Sequence, residues 1–202
     1  MTLPPTHRQI PSPILDALRG ATRDLHARLD AELGLTGPSL SRARYVSFLR
    51  GTAAVMIPLE RALGVLPAWP EALPDAASRR RAHLLALDLR ALDAGDAQEG
   101  PPLRVADLAE AFGCAYVSEG STLGAVVLAR AIEPALGLSP ERGTAYLRAY
   151  GDAVGPRWRA FVGHLEAFAA GLDDAGRGAL VGSAVATFGA FADAFRRTGG
   201  DA

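Results

Sequence analysis

A single cysteine, Cys114, is all the chain contains. That excludes an intramolecular disulfide and leaves no cysteine spacing for a structural zinc site. A reducing, cytoplasmic setting is the expectation that follows. Long apolar runs are missing as well. None approaches the roughly 18–20 residues that a membrane span needs. The opening MTLPPTHRQIPSP lacks the apolar core of a signal peptide, so no membrane partner is expected. Charge of one sign is also missing. Twenty-one basic residues stand against 22 acidic ones, for a net charge of −1. This excludes nucleic-acid binding through a generally basic surface. Stretches of strict polar–apolar alternation, which would mark strands, are absent too.

What remains is helical periodicity. The chain has 202 residues, of which 49% are hydrophobic and 21% charged, enough for one domain with a substantial core. The spacing predicts helices over Ser12–Leu33, about Ser41–Leu66, about Ala76–Leu92, about Leu103–Leu136, a short one from Ser139-Pro140 to Gly151, about Pro156–Ala170 and about Leu172–Arg197. Glycine and proline fall between these segments, so residues 1–202 read as one all-α domain. A proline-rich arm, 1–11, precedes it and a frayed tail, 198–202, follows. The basic cluster Arg79, Arg80 and Arg81 reads as a solvated face. Docking of an acidic electron donor is its alternative use.

The first segment carries the clearest chemical signal. Ser12 suits an N-cap and Pro13 the first helical position. Ile14, Leu18, Ala21, Thr22, Leu25 and Leu29 form one stripe, and His26 falls at its edge. Arg19 lies within roughly 20° of His26 around the axis and Arg23 within roughly 60°. Asp30 follows His26 by one turn, in reach of its imidazole. A neutral imidazole there can bind a metal. A carboxylate one turn on can hold the other ring nitrogen, and guanidinium groups on the same flank can pair with a ligand's carboxylates. The alternative is an interface histidine with no ligand.

The second signal is AFGCAYVSEGSTLGAVVLARAI, where Gly113, Gly120 and Gly124 interrupt a strong helical pattern. Each interior glycine costs about 1 kcal/mol relative to alanine. Such glycines either let another helix pack tightly or let the backbone approach a flat ligand. Ser121 and Thr122 place hydroxyls between two of them. Tyr116, one turn before Gly120, offers a phenol to a ligand carboxylate or sits at the core edge.

LRGATRDLHARLD and YVSEGSTLGAVVLAR resemble the proximal and distal helices of the haem oxygenase family, most closely its bacterial, biliverdin-producing branch associated with bacteriophytochromes. YVSFLRGTAAVMIPLERAL, LLALDLRAL and RWRAFVGHLEAF are similar to family segments in position and character, so the resemblance covers most of the chain. It implies an all-α bundle holding haem b between the first helix and a kinked, glycine-containing distal helix. The implied reaction is the O₂- and electron-dependent opening of haem to biliverdin, CO and ferrous iron. Electrons would come from an external donor such as a ferredoxin or a reductase, and the chain would act as a monomer. Carried over residue by residue, His26 becomes the iron ligand and Asp30 its partner. Arg19, Arg23, Tyr116 and Arg159 become propionate contacts, Phe188 a pocket wall, and Gly120, Ser121 and Gly124 the distal catalytic face. Some relatives have an Asp or Asn between the distal glycines where this chain has Ser121 and Thr122. A haem carrier or sensor that uses His26 without turnover is the competing reading.

Overall fold

The computed structural model describes residues 12–199. The arm and the last residues of the tail lie outside them. The described residues form seven α-helices: α1 (Pro13–Leu33), α2 (Arg42–Gly64), α3 (Trp69–Ala72), α4 (Ala82–Ala91), α5 (Leu108–Leu136), α6 (Val154–Ala169) and α7 (Asp174–Thr198). No strand occurs among the described residues. The spine is α7, which packs against α5, α2 and α1. Two glycines permit this closeness. A Cβ on Gly113 of α5 would lie 2.1 Å from the Leu180 carbonyl oxygen, and one on Gly51 of α2 would lie 2.4 Å from the Phe195 ring. By contrast α1 and α5 both rest on α7 but hardly touch each other.

Caps explain most boundaries. Asp107 accepts from the Glu110 N–H at 3.0 Å, so α5 begins there rather than at Leu103. Ser41 and Asp173 cap α2 and α7 in the same way. Gly34 and Gly137, both left-handed, close α1 and α5. Ser12 occupies the N-cap position of α1, but its hydroxyl caps nothing.

Three expectations are corrected. The stretch 139–151 is not a helix but a series of turns, followed by a 3₁₀ turn over Gly151–Ala153. Besides its own turn bonds, three of its backbone groups are taken up by side chains from elsewhere. The Asp88 carboxylate accepts from the N–H groups of Ala145 and Tyr146, each at 2.8 Å. The Tyr45 hydroxyl donates to the Gly143 carbonyl at 2.7 Å. Gly143 has φ +101°, which L side chains rarely adopt. The third segment is split, with a 3₁₀ turn at Ala76–Arg79 before α4. Finally, α5 and α7 are each long and apolar enough to cross a membrane by length and composition. Their apolar residues serve the core and, on both helices, the wall of a cavity.

The arginine cluster is not a solvated face either. Arg80 is exposed, but Arg79 and Arg81 are buried. Arg79 pairs with Glu119 of α5 at 2.5 Å and with Asp75 at 2.6 Å. Arg81 donates to the Ser118 carbonyl at 2.6 Å, lies 3.9 Å from Glu119, and stacks over Tyr146 and Tyr150. The Tyr150 hydroxyl donates to Glu119 at 2.9 Å. This cluster grips α5 one residue before Gly120 and so fixes which face of α5 turns toward α1. Removing one member leaves an uncompensated buried charge, which costs about 3–5 kcal/mol. Glu119→Ala should therefore lower the midpoint of denaturant unfolding without changing its slope.

Candidate functional site

The gap between α1 and α5 is a cavity of about 630 Å³. Its size suits a large flat ligand. His26, Asp30 and Arg19 of α1 line it. So do Tyr116, Gly120, Ser121 and Gly124 of α5 and Phe188 of α7. Eight of the residues singled out from the sequence thus converge.

His26 is held in one orientation. Its Nδ1 lies 2.9 Å from the Asp30 carboxylate, one turn on. Its ring meets Phe188 edge-on, with centroids 5.8 Å apart. Nδ1 is occupied by the carboxylate, so Nε2 is the nitrogen left for a metal. The side chain is 60% exposed, so the imidazole stands in the open cleft rather than in the core.

The α5 wall is bare. A Cβ on Gly124 would meet nothing within 4 Å, and one on Gly120 would meet only the Trp158 ring at 3.7 Å. Helix packing therefore does not require either glycine, unlike Gly113. The space their missing side chains leave belongs to the cavity, and a planar ligand can lie against the backbone there. The helix continues unbroken past them. The hydroxyls of Ser121 and Thr122 donate to the carbonyls of Ser118 and Glu119 at 2.7 and 2.6 Å, bonds of a kind that bends helices. Thr122 itself is buried and does not line the cavity.

One end of the cavity is polar. The Tyr116 phenol faces the Thr22 hydroxyl and the Arg19 charge. Burial pushes the phenol up, and these two neighbours pull it down. Arg19 and Tyr116 thus form a cationic and hydrogen-bonding pair at one rim, suited to ligand carboxylates. Arg23 and Arg159 are exposed and do not line the cavity. Among the other histidines, His83 is exposed, His164 is half-buried and neither lines the cavity. His7 lies outside the described residues.

The far end is apolar, built from Phe48 of α2 and Phe191 and Phe195 of α7. The sequence alone does not assign these residues to a site. Their only signal is an aromatic row on α7 at helical spacing. Tyr146 and Trp158 also line the cavity and carry no such signal, since each arrives from a separate element.

Comparison with known proteins agrees with this geometry. The family model described as Heme oxygenase matches residues 12–197. No curated protein matches the chain. Among solved structures, the heme oxygenase from Neisseria meningitidis, crystallised with NO and CO bound, superposes with a TM-score of 0.80 at 24% identity. The match covers 92% of this chain and 91% of that one.

Proposed function

The chain belongs to the haem oxygenase family, and on that premise we propose that it binds haem b in the α1–α5 cavity with His26 on the iron. It then opens the ring to biliverdin, CO and ferrous iron. The observation that carries this reading is the pairing of an oriented imidazole with a glycine-bare helix wall on one cavity.

Bound haem supplies the iron that takes up O₂ and the ring that is oxidised. Each residue has a matching task. Asp30 fixes the His26 tautomer and raises its basicity as a ligand. Gly120 and Gly124 leave the opposite face open to O₂ while keeping the backbone close. Phe188, Phe191 and Phe195 hold the apolar edge and exclude water. Arg19 and Tyr116 take the propionates, which fixes the rotation of the ring about the Fe–His26 axis. Arg23 and Arg159, exposed and off the cavity wall, are the weaker propionate candidates. An external reductant is needed, and a ferredoxin is the donor proposed. We place the activity in the cytoplasm, in a monomer.

Absorbance spectra taken after adding haem, then reductant and air, test the reading. Release of biliverdin and CO supports it, and recovery of intact haem would make the chain a carrier. Arg19→Gln tests the seating. Charged hydrogen bonds contribute about 1.5–3 kcal/mol each, so haem binding should weaken about tenfold or more. The single main biliverdin isomer should become a mixture. Arg23→Gln should do less, because Arg23 does not line the cavity. A single isomer retained in both variants would move the seating role to Tyr116 or to pocket shape.

A further inference from the structure

The hydroxyls around the cavity mostly point their protons elsewhere. Thr22 donates to the Leu18 carbonyl at 2.8 Å, Thr52 to Phe48 at 2.8 Å, and Ser121 to Ser118 at 2.7 Å. Each is satisfied by its own helix. Tyr116 sits at the Arg19 rim, opposed by Thr22. The α5 wall that faces His26 thus offers glycines and one serine whose proton is already given away.

Tyr146 differs from all of these. It comes from the turns between α5 and α6, is buried, and lines the cavity with its hydroxyl facing Ser121. Among the described residues no carboxylate or backbone carbonyl accepts from that hydroxyl. Its position is tightly set. The backbone N–H is bound by Asp88, and the ring lies 5.4 Å from the Arg81 guanidinium. Arg81 in turn donates to the Ser118 carbonyl, the same oxygen that takes the Ser121 proton. One junction therefore holds both the tyrosine ring and the serine rotamer.

We propose that Tyr146 is the hydrogen-bond donor at the Ser121 corner of the cavity for an oxygen-bearing or anionic ligand on the haem iron. The inference rests on the haem-binding reading given above. Ser121, its proton given to the Ser118 carbonyl, has none left for such a ligand, and Tyr146 contributes the donor at this corner. The charged groups around the phenol are Arg81, Glu60 and Glu119, with Asp88 under its backbone and His26, Asp30 and Arg19 lining the same cavity. Burial holds the phenol protonated, against the pull of Arg81. The donor is thus present throughout the neutral pH range.

The test uses the full chain reconstituted with ferric haem. Two quantities are read: the midpoint pH at which the iron's axial water becomes hydroxide, and the affinity for fluoride. A donor stabilises both hydroxide and fluoride. Tyr146→Phe keeps the ring against Arg81 and removes only the hydroxyl. Loss of one such bond should raise the midpoint by about 0.5–1 unit and weaken fluoride binding about 3–10-fold. Haem affinity should be unchanged. Tyr150→Phe removes the hydroxyl that serves Glu119 and should move neither quantity. Ser121→Ala should move both by less than Tyr146→Phe does. An unmoved midpoint and unmoved fluoride affinity in Tyr146→Phe would overturn the proposal. So would equal shifts in the Tyr146 and Tyr150 variants, or a larger shift in Ser121→Ala. A wild-type chain that took up no haem would overturn the haem reading itself, before the variants are compared.

Discussion

His26→Ala should fold as wild type does and yet lose the intense Soret band of the six-coordinate ferric haem complex. The side chain is 60% exposed and sits at the edge of the α1 stripe. Its removal should cost no more than about 0.5 kcal/mol of stability, as for other surface substitutions. The effect on the site is of another order. Removing an outer hydrogen-bond partner of a metal-bound histidine already costs about 10–100-fold in affinity or activity. Losing the ligand itself should cost at least that much, and bilin yield should fall to background. Asp30→Ala should land in the 10–100-fold range, since the imidazole remains but its Nδ1 contact at 2.9 Å is gone. Circular dichroism, thermal melting and a haem titration separate the two effects. A wild-type Soret band in the alanine variant would mean that His26 is not the ligand, and would turn attention to His83 and His164.

Gly124→Leu should show opposite signs in two measurements. The new Cβ meets nothing within 4 Å, and leucine favours helix over glycine by about 0.5–1 kcal/mol. The haem-free protein should therefore melt at the same temperature or slightly higher. Turnover should collapse, because the side chain fills the space where O₂ must stand over the iron. Gly113→Leu is the contrasting control. There even a Cβ would sit 2.1 Å from the Leu180 carbonyl oxygen. Helices α5 and α7 must separate, at a cost of about 1–3 kcal/mol or more. Full biliverdin yield from Gly124→Leu would show that this glycine plays no part in the distal wall.

These two glycines show where sequence reasoning works and where it stops. All three interior glycines of α5 look alike in the sequence, and each reads as a packing contact before it reads as a ligand contact. The structure divides them by what lies opposite: a backbone carbonyl for Gly113, cavity for Gly124 and cavity beside Trp158 for Gly120. The helices themselves were legible, because α1, α2, α5, α6 and α7 carry long 3.6-residue patterns. The stretch 139–151 was not. Its turns depend on Asp88 and Tyr45, far away in the chain, to take up its backbone groups. Arg79 and Arg81 misled for the same reason. Three arginines in a row read as solvated unless the carboxylate that buries them is known, and Glu119 lies 40 residues on from Arg79. His26, Asp30 and Arg19 were legible because one helix carries all three in a fixed spacing. Arg23 and Arg159 share the charge of Arg19 but do not reach the wall. Tyr146 and Trp158 carry no local signal of a site and enter it only through tertiary packing.

The gap between α1 and α5 has a consequence for how the chain lets go of its product. With α1 resting mainly on α7, the flat face of a bound haem would act as a detachable piece of the hydrophobic core, and the bundle would be complete only while the substrate is in place. Substrate binding should then stiffen α1, and hydrogen exchange along Leu18–Leu33 should slow when haem is added. If His26 holds the iron as proposed, ring opening would remove that iron and the planarity that the glycine wall matches, so both grips would fail together. Release would then require no separate latch, since the chemistry itself would turn a core component back into a solute.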